Sequence, residues 1–117
     1  MNEALLAMGV PMIAAHAVMA TMGFRGRSVG RGVGIPIAVY EILYYAVALA
    51  TVIPPLPLAI PLYAFAAIHF AGGAAYAIGR PRIPSGVAAR ADLLRYYAVY
   101  ELVELVFIAA LSMYLIT

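Results

Sequence analysis

Ala38-Val39-Tyr40-Glu41 recurs as Ala98-Val99-Tyr100-Glu101, each time a short way into a long apolar run. Around this signature the chain reads as two copies of one unit, about residues 3–53 and 58–117, within a single domain covering 1–117. Each copy has an apolar stretch carrying one histidine, an arginine-rich loop, and a second apolar stretch opening with the signature. The two histidines of the chain, His16 and His69, fall one in each copy.

The apolar runs are too apolar for a soluble domain. Hydrophobic residues make up 67% of the 117 and charged residues 10%, with a mean hydropathy of +1.02, whereas soluble domains have roughly half apolar and a quarter charged residues. An all-α integral membrane protein is expected. A bilayer-crossing helix takes about 20 residues, so four spans use up the chain: about 3–24, 35–53, 58–79 and 91–117. The first run has an acidic Glu3 and no basic leader, and is read as a retained span, not a cleaved signal.

Two absences exclude chemistry. Without cysteine there are no thiolate metal sites or disulfides, and without lysine no Schiff-base cofactor. All seven cationic side chains are arginines, too few and too local to indicate nucleic-acid binding. Arg25 to Gly34 mixes arginine with glycine and reads as a flexible loop; it lacks the Gly-Lys-Ser/Thr ending of a phosphate-binding loop. Pro54-Pro55-Leu56-Pro57 reads as a stiff, uncharged connection. Arg25, Arg27 and Arg31 lie in the first loop and Arg80, Arg82, Arg90 and Arg95 in the third, which overlaps the start of the fourth span, so the positive-inside rule puts those loops in the cytoplasm and both termini outside, in a multi-pass protein of the cell membrane. Two spans per copy give parallel helical-hairpin repeats in an up-down bundle.

His16 precedes Arg25 by nine residues and His69 precedes Arg80 by eleven, roughly 13 and 16 Å along a helix. Both therefore sit near mid-membrane, on spans expected to lie diagonally across the bundle. A planar metal complex between them is the leading expectation: haem b with His16 and His69 as axial ligands. Gly9, Met12 and Ala20 near His16, and Gly72 and Gly73 near His69, would leave room for the ring, and Arg25 and Arg80 would pair with its propionates. The protein would then be a small b-type cytochrome, an electron carrier more than a catalyst, serving a quinone or respiratory redox partner, with a homodimer as a further arrangement. Met8, Met12, Met19 and Met22 beside His16 give copper as a weaker alternative.

Glu41, Glu101 and Glu104 lie inside spans, with Tyr40 and Tyr100 beside them. Three roles are open: clasping loop arginines, orienting an imidazole, or relaying protons. The last defines a second function class, a proton-coupled transporter or channel using Glu41, Glu101 and Glu104. In length and number of spans the chain resembles the small multidrug resistance transporters; that family carries its carboxylate in the first span, where this chain has only Glu3.

Overall fold

The computed structural model describes residues 2–79 and 91–117. It is all-helical: α1 (Asn2–Phe24), α2 (Arg31–Thr51), α3 (Leu56–Ile68), a π-helical turn (His69–Gly73), α4 (Ala74–Ala77) and α5 (Ala91–Ile116). α3, the π turn and α4 run on as one segment, Leu56–Ala77, so the described residues hold four helices long and apolar enough to cross a membrane. Their outward faces suit lipid, with Val10, Leu43, Ile60 and Val106 all exposed. The chain is thus compatible with a multi-pass membrane protein.

Two helices start earlier than the sequence suggests. α2 begins at Arg31 and takes in Gly32, Val33 and Gly34, with the Val33 and Gly34 N–H groups both donating to Gly30 O. Glu41 therefore lies ten residues into its helix. α3 begins at Leu56 with Pro57 in the first turn, where a missing N–H has no partner to lose. α1 runs unbroken through Pro11.

α1 packs along α5; α2 packs on both α1 and the third segment, and α3 touches α5. The first and third segments therefore face each other across the bundle. The α1–α5 contact is close because small residues line it: a Cβ on Gly23 would stand 2.8 Å from the Ala98 Cβ, and one on Gly9 would stand 3.3 Å from Ser112 Oγ. Thr21, Thr51 and Ser112 hydroxyls each donate to the carbonyl one turn back, which hides them from lipid.

The large buried side chains gather on one side of the ionisable residues. Leu5 and Met12 precede His16; Tyr44, Tyr45 and Ala48 follow Glu41; Leu62 and Phe65 precede His69; Phe107, Ile108 and Leu111 follow Glu104. On the other side the buried positions are mostly small, with Ala20, Gly23, Gly34 and Ala38 beside Met19.

Candidate functional site: a buried histidine and glutamate cluster

Each of the four segments delivers ionisable side chains to one level of the bundle: His16 from α1, Glu41 from α2, His69 from the π turn, Glu101 and Glu104 from α5. All five are buried. Glu101 and Glu104 are three residues apart, hence on one helix face.

The contacts run in a chain. His16 Nδ1 is paired with Glu101 Oε2. His69 Nε2 lies 2.7 Å from Glu104 Oε1, and its Nδ1 is 3.2 Å from Glu41 Oε2. The Tyr45 hydroxyl donates to Glu104 Oε1 at 2.6 Å, and its ring stacks on His69 with centroids 5.1 Å apart. Tyr100 Oη approaches His69 Nε2 at 3.4 Å. A second set of approaches is longer: His16 Nε2 is 3.5 Å from Glu104 Oε1 and 3.7 Å from Glu41 Oε1.

His69 has a carboxyl oxygen at each ring nitrogen. A neutral imidazole has only one N–H, so satisfying both contacts takes either an imidazolium or a protonated glutamate. Either way the Glu41–His69–Glu104 triad stores a proton.

The sequence-selected residues divide. His16, His69, Glu41, Glu101 and Glu104 come together, and Tyr100 borders them. Tyr40 does not join: its hydroxyl donates to Met8 O at 3.0 Å and ties α2 to α1. Gly9 abuts α5, Gly73 faces Ile42 of α2, and a Cβ on Gly72 would meet nothing. Met12 and Ala20 are buried in helix packing, and Arg25 is exposed. Arg80 lies outside the described residues. Of the methionines, Met19 Sδ accepts from the Tyr97 hydroxyl at 3.7 Å.

The two imidazole centroids are 6.4 Å apart with planes inclined at 68°, and Glu104 Oε1 lies against a nitrogen of each ring. A porphyrin between them needs Glu104, and Glu41 beside it, to leave. Among the described residues the glutamates meet imidazoles; Arg80, Arg82 and Arg90, candidates for a clasp, lie outside them. Of the described arginines, Arg31 donates to Tyr76 O at 2.9 Å and lies over the Tyr76 ring. Tyr45 joins the site without having stood out in the sequence; its position one turn after Glu41 is the signal that would have found it. The π turn had no periodic signature at all.

The chain matches no family model, no curated protein and no solved structure.

Proposed function

We propose that the chain is a small proton-coupled transporter or channel of the cell membrane, whose histidine and glutamate cluster takes up protons from one side and hands them to the other. In this reading the bundle is up-down and built from two parallel hairpin repeats, with both termini outside. The α1–α5 contacts support the up-down order, since Gly23 meets Ala98 while Gly9 meets Ser112.

The observation that carries the proposal is the charge inventory of the buried cluster. Three carboxylates and two imidazoles share one water-poor level. With neutral imidazoles and ionised acids the set holds three uncompensated negative charges, and each costs several kcal/mol to bury. Protons offset that cost, so the cluster is a proton store whose charge changes with each proton passed. A structural clasp needs one such pair; an ionisable network at mid-helix on every segment marks a pathway, because charge inside a membrane is kept where ions or protons move.

Proton movement into liposomes holding the purified protein, followed with a trapped pH-sensitive dye, tests this. The intact protein is expected to pass protons well above protein-free vesicles, and Glu41→Gln with Glu101→Gln to reduce the rate at least tenfold. Equal rates in the variant and intact protein, or no flux above empty vesicles, would overturn it. The haem b electron-carrier reading, with a quinone or respiratory partner, has the paired histidines in its favour but needs both bridging glutamates displaced. A red preparation with a Soret band would restore it and remove the transport reading.

A further inference from the structure

Two atoms in the cluster have no hydrogen-bond partner among the described residues: His16 Nε2 and Glu104 Oε2. Their side chains are each 0% exposed. A buried polar atom left unsatisfied loses its hydration with nothing in return, so two of them inside a set rich in donors and acceptors call for an occupant.

The direction of His16 Nε2 says what kind. It faces carboxyl oxygens of Glu104 and Glu41 at 3.5 and 3.7 Å, beyond hydrogen-bond length. Those spacings are close to the ligand-to-ligand edge of a tetrahedron, about 3.3–3.6 Å for metal bonds of 2.0–2.2 Å. The opposite nitrogen of the same ring is paired with Glu101, the carboxylate–histidine arrangement that fixes the tautomer and orientation of metal-bound imidazoles. His69, against both Glu41 and Glu104, is a second imidazole within reach.

We propose that the cluster binds one borderline divalent transition-metal cation, of the zinc class, through His16, His69, Glu41 and Glu104, with Glu101 holding His16 in place. The inference rests on the transport reading and deepens it: the cation is the cargo, and it enters as the stored protons leave. Two neutral imidazoles and two carboxylates neutralise a divalent ion, and mixed nitrogen and oxygen ligands favour zinc or iron(II) over magnesium and calcium. Among the described residues no three His, Cys, Asp or Glu side chains stand where they could hold a metal ion as they are, so the ion must draw His69 and Glu104, now 2.7 Å apart, into a new arrangement. Glu104 is turned to Tyr45 and His69, and it must give up these bonds as the ion arrives. The absence of cysteine keeps the affinity moderate, as release requires.

Calorimetric titration of chelator-treated protein in detergent with Zn2+, run in two buffers of different ionisation enthalpy, tests the site and counts released protons. One ion per chain is expected, with at least one proton released and no competition from excess Mg2+. Glu41→Gln and His16→Ala should each weaken binding tenfold or more, and Glu101→Gln roughly 10–100-fold by loosening His16. Since a cluster variant can misfold, Co2+ added to the unaltered protein gives an independent readout, visible absorption of a four-coordinate nitrogen and oxygen site. Absence of saturable Zn2+ binding, unchanged affinity in folded His16→Ala, or Co2+ remaining in its hydrated form would overturn the inference. Proton flux without metal binding defeats this inference alone. Metal binding without proton flux defeats the transport reading and leaves the site standing.

Discussion

Tyr45 shows how much one hydroxyl contributes to the buried cluster. It is fully buried, stacks on His69 and gives Glu104 its 2.6 Å hydrogen bond. Tyr45→Phe keeps the ring and removes only that donor, leaving Glu104 with His69 as its hydrogen-bond partner. The loss of a buried bond to a charged acceptor costs about 1.5–3 kcal/mol. Thermal unfolding in detergent should therefore shift down for Tyr45→Phe, and less for Tyr40→Phe, which breaks only the part-buried bond to Met8 O. Equal shifts would mean that Glu104 finds another donor. Residue types alone pointed to His16, His69 and the three glutamates, because an ionisable group inside an apolar run is costly and is retained where it has work to do. Their pairing was hidden by a shift of helix start. Counting from Ile35 puts Glu41 near a membrane edge beside arginines, whereas counting from Arg31 puts it at the level of the histidines.

At the scale of the helix, glycine positions separate close contact from open space. Gly23 is pressed on α5, with Leu94 O 2.9 Å and Ala98 Cβ 2.8 Å from where its Cβ would be. Gly23→Ala forces α1 away from α5, and overpacking of this kind costs about 1–3 kcal/mol. Gly72 in the π turn has nothing within 4 Å of a built Cβ, so Gly72→Ala should be neutral or stabilise by up to about 1 kcal/mol through helix propensity. Unfolding midpoints of the two variants in one detergent check the ordering, and a reversed order would show that the α1–α5 contact yields easily. The four helices were readable from hydropathy, which needs only length and polarity. The π turn was not, because one inserted residue leaves the apolar pattern of a lipid-exposed helix unchanged. Yet that turn carries His69, and π turns gather at functional sites.

Across the whole molecule, the ionisable residues stand between a layer of large apolar side chains and a layer of mostly smaller ones; the large side chains come before them along α1 and α3 and after them along α2 and α5. Four helices long and apolar enough to cross a membrane are legible from composition, and the recurring signature is the basis for reading two related halves. What composition cannot convey is that each histidine meets the glutamate of the other signature, His16 with Glu101 and His69 with Glu41. That exchange makes the site depend on both halves being assembled. The apolar layer beyond it, with Leu5, Leu62, Ile108 and Leu111 almost fully buried, then acts as the seal of the transport reading. Ile108 lies one turn from Glu104 on α5, and Leu111 one turn further. Shortening either side chain opens a void directly beside the buried histidine and glutamate cluster. Ile108→Ala and Leu111→Ala should each lose about 2–5 kcal/mol of stability and, in vesicles, pass protons faster than the intact protein does. Substituting Val103, which is exposed on the outer face of the same helix, should do neither. A leak that appears with Val103→Ala, or that fails to appear with both inner variants while they remain folded, would place the barrier to protons somewhere other than this layer.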